Sequence, residues 1–155
     1  MYKKMLVPID GSLRSEVVVR HAAETAKALG CSVRLLTVVD LTKNNGKKTA
    51  NNVSNAPNAN DEAASLAWVE SEIEQAESFL RPVAERLNEE GLTPEMEVRF
   101  GNPGEEILKA ASEYGSDIIA MATRSRRGFS RLVFGSVADQ VLRESHVPLL
   151  LITAA

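Results

Sequence analysis

Residues Ser32 to Val39 read Ser-Val-Arg-Leu-Leu-Thr-Val-Val, an apolar run with little alternation between polar and apolar positions. Successive side chains of a strand point to opposite faces, so a run of this kind describes a strand covered on both. Helices packed on the two faces of a parallel sheet provide that cover. Met5 to Ile9 is a second short apolar run, ended by Asp10-Gly11-Ser12, with Pro8 near its end, where a missing ladder donor does least harm. Between the two runs Val18, Ala22, Ala26 and Leu29 recur at helical spacing, Glu16 falls in the first turn, and Gly30 offers a C-terminal cap. The chain therefore opens as strand, helix, strand.

The rhythm then breaks and resumes. Leu41 to Asp61 holds seven asparagines, Pro57 and almost nothing to bury, and is expected to be a flexible or disordered insertion. Val69, Ile73, Ala76, Leu80, Val83 and Leu87 restore helical spacing up to Gly91, with Pro82 inside the pattern predicting a bent helix. Glu95 to Phe100 alternates strictly, Met96, Val98 and Phe100 against Glu95, Glu97 and Arg99, which predicts an edge strand with one wet face. Gly101-Asn102-Pro103 starts a third helix, with Glu105 and Glu106 in its first turn, Ile107, Leu108 and Ala111 facing inward, and Gly115 as its limit. A fourth strand is expected over Asp117 to Ala122, a fourth helix over Gly135 to Glu144 and a fifth strand over Val147 to Ile152.

Five strands alternating with four helices predict an α/β fold with helices on both faces of a doubly wound parallel sheet. The 155 residues suffice for one domain with a proper core and are short for two. In such sheets ligands sit outside the carboxyl ends of the strands, where the winding reverses. For a strand order 3-2-1-4-5 that point lies between strands one and four. It would bring Asp10 beside the stretch from Ile118 to Val137.

That stretch has the shape of an anion site. An apolar strand stops at Ala122, Arg124, Arg126, Arg127 and Arg131 follow, and Gly135-Ser136 opens a helix. Backbone N–H groups and the helix dipole favour phosphate at such a start, and a glycine lets it approach closely. The same residues fit plainer roles: Gly135-Ser136 as an N-terminal cap, the arginines as a solvated face, Asp10 as a turn residue, Val38 as core. Arg124, next to the strand end, is the arginine placed to pair with a phosphate in forked geometry.

Charge and composition narrow the partners. Twenty-one acids against 18 bases give a net charge of −3, which argues against broad binding to nucleic acid or anionic membranes. No segment approaches membrane-spanning length, and the N-terminal apolar run is too short for a signal peptide. Cys31 is alone, and so can form no internal disulfide; a buried structural thiol in a reducing, cytoplasmic setting is expected. His21 and His146 fall away from the strand ends and are expected to be structural or exposed.

Four segments carry a resemblance: Val7-Pro8-Ile9-Asp10-Gly11-Ser12, Leu35-Leu36-Thr37-Val38-Val39-Asp40, Gly101-Asn102-Pro103, and Gly135-Ser136-Val137-Ala138 followed by Val147-Pro148-Leu149-Leu150-Leu151-Ile152. Together they resemble the universal stress protein family over the whole chain apart from the asparagine-rich insertion. The resemblance implies a Rossmann-like sheet of order 3-2-1-4-5, a homodimer and, in one branch of the family, an adenine nucleotide in the crevice.

That branch carries a Gly, two residues, a Gly, nine residues, then Gly-Ser or Gly-Thr. Here Ala122 and Ser125 stand in the first two glycine positions, while Gly135 and Ser136 match the last. Ala122 adds only a methyl, whereas Ser125 adds a Cβ where the backbone takes φ > 0 or meets phosphate. Its hydroxyl offers a phosphate donor in exchange. By resemblance Asp10 meets the ribose or a bound metal (Mg²⁺ carried by the nucleotide), Val38 meets the adenine, and Gly135, Ser136 and Val137 hold phosphates. Pro8, Gly101, Met121, Ala122, Arg124, Ser125 and Ala138 complete the expected set, with ATP, ADP or AMP as ligand.

An enzyme has thin support. The chain lacks a Gly-x-x-x-x-Gly-Lys loop and has no histidine at a strand end, and Asp10 is the one carboxylate the reading places in the crevice. The readings carried forward are a nucleotide-binding regulatory protein acting on a protein partner, a dimeric interaction module that binds no nucleotide, and, behind both, a slow ATPase or ATP-using transferase. Homodimerisation has its own physical argument. A fifth strand at the sheet edge with Leu149, Leu150, Leu151 and Ile152 needs covering, and pairing across a two-fold axis supplies it.

Overall fold

A computed structural model of the chain describes residues 1–42, 57, 60–124 and 135–154. The elements run β1 (Lys4–Pro8), α1 (Leu13–Leu29), β2 (Ser32–Asp40), α2 (Glu62–Glu89), β3 (Glu95–Gly101), α3 (Pro103–Tyr114), β4 (Ile118–Arg124), α4 (Ser136–Glu144) and β5 (Leu149–Ala154). All strand pairings are parallel, and the sheet order is β3-β2-β1-β4-β5. The α/β doubly wound expectation holds, including the reversal between β1 and β4.

The central strand explains why its sequence does not alternate. Met5 and Val7 point into a core built with Val18, Val19, Ala22 and Ala26 of α1 and Leu80 and Leu87 of α2. Leu6, between them, points into a second core with Ile107 and Ala110 of α3 and Ala138 and Val141 of α4. All three β1 side chains are fully buried, so each face of the strand needs apolar residues. Burying such side chains contributes about 1.5–3 kcal/mol apiece, which makes this strand the least replaceable part of the sheet.

Polar groups seal the ends. Ile9 N–H donates to the Leu36 carbonyl at 2.8 Å and Thr37 Oγ1 donates to the Ile9 carbonyl at 2.9 Å, locking the exit of β1 onto β2. At the opposite end the Asp117 carboxylate accepts from the backbone N–H groups of Lys3 at 2.7 Å and Lys4 at 2.9 Å. These two bonds hold the Asp117 carboxyl below the usual carboxylate range, against a smaller upward push from lost hydration.

Several boundaries differ from the sequence reading. α1 starts at Leu13, one residue after its cap Ser12, whose carbonyl accepts from Ser15 N–H at 3.0 Å. α2 starts at Glu62, because Asp61 caps the N–H of Ala64 at 3.1 Å. It continues through Pro82, whose ring lies on the exposed side, where it displaces no core atom. Its buried residues, Ala76, Leu80, Ala84 and Leu87, all lie in the carboxyl-terminal half. In the amino-terminal half Trp68 stacks at a tilt on Phe100 of β3, ring centroids 6.1 Å apart. β4 runs to Arg124 because β5 offers partners as far as Ala154. β5 starts at Leu149 because Ser145 Oγ bonds both the N–H and the carbonyl of Val147, holding 145–147 in a turn. Apart from its two ends and Pro57, the expected insertion at 41–61 lies outside the described residues.

The charged face of β3 is a correction. Glu97 and Arg99 alternate as predicted, yet the Arg99 side chain is only 15% exposed. It pairs with Glu97 at 2.6 Å, with Glu106 at 3.4 Å and with Glu113, the last two from α3. Arg34 of β2 adds pairs with Glu95 and Glu97 and stacks on the Tyr114 ring at 4.0 Å. An ion-pair layer under α3 replaces the expected wet face, while Met96 on the other face is 42% exposed. Cys31 is buried, as expected, and burial pushes its thiol pKa up, with the Asp117 charge adding to the shift. Among the described residues no helix is long and apolar enough to cross a membrane.

Candidate functional site

The carboxyl ends of β1, β2 and β4 open onto a cavity of about 410 Å³, walled by the first turns of α1, α3 and α4. β1 turns into α1 through Gly11, whose φ of 79° is a conformation glycine adopts without penalty. A Cβ there would also stand 3.1 Å from the Phe79 ring of α2. This turn places Asp10 at the mouth of the cavity, with its carboxylate facing back along α1.

Asp10 is held from several sides. Its Oδ1 accepts from Ser12 N–H at 3.0 Å and from Ser15 Oγ at 2.9 Å, while its own N–H donates to Ser15 Oγ at 3.1 Å. Partial loss of water pushes the Asp10 carboxyl upward. The bonds from Ser12 and Ser15, with the Arg14 charge nearby, outweigh that and leave it below the ordinary carboxylate range. Asp10 is an anchored anion on the cavity wall.

The opposite wall is the start of α4. Gly135 has φ 82° and ψ 159°, a region essentially closed to residues with a Cβ, and it offers no side-chain cap. The first intrahelical bond is Asp139 N–H to the Gly135 carbonyl at 2.9 Å. The N–H groups of Ser136, Val137 and Ala138 therefore precede the helical ladder, and all three residues line the cavity. Helix starts with this geometry receive anions. Between the walls, Pro8, Val38, Met121 and Ala122 form the apolar floor, where a flat ring system is sheltered.

The structure thus brings together Pro8, Asp10, Val38, Met121, Ala122, Gly135, Ser136, Val137 and Ala138, as expected from the sequence. Gly101 is not part of the wall: it pairs with Asp40 at the end of the β2–β3 ladder, and its carbonyl accepts from Leu41 N–H at 3.2 Å. Arg124 ends β4, while Ser125, Arg126, Arg127 and Arg131 lie outside the described residues. His21 and His146 are both exposed and line no part of the cavity.

A family model, that of the universal stress protein family, matches residues 1–153. The chain belongs to this family. Universal stress protein MJ0531 of Methanocaldococcus jannaschii is 30% identical, over 98% of this chain and 82% of that protein. The solved structure of MJ0577, from the same organism, is similar at TM-score 0.78 and 25% identity, covering 100% of this chain and 98% of that one. A universal stress protein from Archaeoglobus fulgidus in complex with dAMP shares the fold at TM-score 0.63 and 21% identity, over 97% of this chain and 98% of that one.

The cavity is also lined by residues that the sequence reading did not assign. Ser12, Arg14, Ser15, Asp40, Pro103, Ile107 and Thr123 line the same cavity. Asp10-x-Ser12-x-x-Ser15 was the legible signal among them, since a carboxylate that closes a turn and then meets the first helical turn recurs where Asp precedes a helix. Asp40 closes a second turn of the same kind, accepting from Thr42 N–H at 2.9 Å and from the Thr42 hydroxyl. Among the described residues no group of three or more His, Cys, Asp or Glu comes together as a metal site.

Proposed function

We propose that this universal stress protein is a nucleotide-binding regulatory protein that holds ATP, ADP or AMP in the crevice between β1 and β4 and signals through a dimer. One observation carries the reading: Gly135 opens α4, with φ 82°, directly onto the cavity that Asp10 borders. In this reading the N–H groups of Ser136 and Val137 receive phosphate, Val38 and Met121 shelter the base, and Asp10 takes a ribose hydroxyl or a Mg²⁺ brought by the nucleotide. The dAMP-bound relative supports an adenine nucleotide as the ligand class.

The dimer would form along the free edge of β5, which pairs with β4 on one side only. Ile152 is 8% exposed and belongs to the core of its own subunit, while Leu149, Leu150 and Leu151 are half-buried. The unpaired backbone of this strand, more than its side chains, is what a second copy would satisfy. A second reading, a dimeric interaction module without nucleotide, is favoured by Ala122 and Ser125 in place of two family glycines.

The deciding experiment denatures freshly purified protein, identifies released nucleotide by chromatography and mass, and titrates apo protein with ATP and AMP, each with and without Mg²⁺. Saturation near one nucleotide per chain supports the first reading. Absence of both release and binding overturns it in favour of the second.

A further inference from the structure

Arg14 is the one basic side chain among the described residues that line the cavity. It lies in the first turn of α1 and is half-buried. The acids around it are committed elsewhere. Asp10 Oδ1 is held by Ser12 and Ser15, and Glu16 pairs with Arg86 of α2 at 3.3 Å. Asp40 accepts from Thr42. Among the described residues no carboxylate lies within ion-pair distance of the Arg14 guanidinium, although its charge is felt at Asp10. A half-buried guanidinium in a concave site without an ion-pair partner is a receptor for an anion from outside the chain.

The position of Arg14 indicates which anion. α1 packs on the Met5 and Val7 face of β1, and α4 packs on the Leu6 face. Arg14 and the start of α4 therefore flank the sheet crest from opposite sides. A single phosphate seated on the N–H groups of Ser136 and Val137 is served by α4 alone. A chain of phosphates that runs from there across the ends of β1 and β4 enters the part of the cavity that Asp10 and Arg14 both line, where the carboxylate repels it and a counter-charge is needed.

We propose that Arg14 supplies this counter-charge and so sets the preference of the crevice for nucleoside di- and triphosphates over monophosphates, a proposal that rests on the nucleotide reading above. It makes Arg14 a specificity-determining residue, distinct from the groups that hold the base and the first phosphate.

The test is calorimetric titration of wild type, Arg14→Ala and Arg14→Lys with AMP, ADP and ATP in Mg²⁺-free buffer at two salt concentrations, with circular dichroism as the fold control. Arg14→Ala should weaken ATP and ADP about tenfold or more while AMP changes by less than about twofold, the scale of one charge-assisted contact. Arg14→Lys should keep part of the ATP affinity, because the charge remains and the fork is lost. Equal weakening of AMP and ATP, or no change with any nucleotide, overturns the role of Arg14 and leaves the nucleotide reading standing. A wild type that binds none of the three overturns both. If Arg14→Ala does not fold, the ATP-to-AMP ratio of Arg14→Lys decides: a ratio equal to wild type overturns the proposal.

Discussion

Ser15 and Asp10 hold each other twice: the Ser15 hydroxyl donates to the Asp10 carboxylate at 2.9 Å and accepts from the Asp10 backbone N–H at 3.1 Å. The side chain of Ser15 is buried whereas Asp10 is exposed, so removing the hydroxyl loses both bonds and water compensates only at the carboxylate. Ser15→Ala should therefore cost about 1–3 kcal/mol at neutral pH, read from the urea midpoint. The Asp10 carboxyl lies below its ordinary range, so the stability it contributes is full above the unfolded carboxylate range and is lost as pH falls through the folded value. The gap between wild type and Ser15→Ala should accordingly shrink in acid; a gap independent of pH would mean that the bond carries no charge.

Asp117 gives a second acid-sensitive joint. Its carboxyl is lowered first by the N–H groups of Lys3 and Lys4, so the folded state binds fewer protons there than the unfolded state just below pH ~4. Stability from this joint is complete at neutral pH and decays as pH drops through the depressed value. Asp117→Asn should flatten the acid limb of the stability curve. Identical acid limbs for the two proteins would show that Asp117 is not charged differently on folding.

Gly135 cannot be replaced without strain. Its φ of 82° with ψ of 159° costs a residue with a Cβ about 1–3 kcal/mol, and Gly135 lines the crevice. Gly135→Val should keep its circular dichroism and lose nucleotide affinity. Undiminished affinity would move the phosphate away from the start of α4.

The free edge of β5 makes a prediction about association. If the proposed dimer forms on β5, Leu150→Lys, which places a charge on a half-buried strand, should yield monomer by light scattering with the fold retained. Ile152→Lys is expected to unfold the subunit instead, because Ile152 is core. A dimer unchanged in Leu150→Lys would remove β5 as the interface.

How far the sequence could be read depended on whether a residue's partner was nearby in the chain. β1 and β2 were legible because an unbroken apolar run requires two covered faces; Asp10 and Gly135 stand where an element ends or begins, while Val38, inside β2, came from the family resemblance. The strand order came from the family resemblance, and the register of β1 against β4 confirms it. The face of β3 was misread because Glu97 and Arg99 alternate in the same way beside water or beside Glu106 and Glu113 of α3. Arg14, Ile107 and Thr123 were missed because a cavity wall drawn from two helices and a strand has no common spacing in one dimension.

The stacked pair of Trp68 and Phe100 gives the protein an optical reporter of its own. The chain has a single tryptophan, and this contact seats it at the carboxyl end of β3, next to the ladder that ends at Asp40 and Gly101. Tryptophan emission from the unlabelled protein thus comes from one known place, where the part of α2 that buries no side chain rests on the sheet edge. Ligand titrations can be followed by intrinsic fluorescence, and a spectrum that shifts on saturation would show that filling the crevice is felt two strands away.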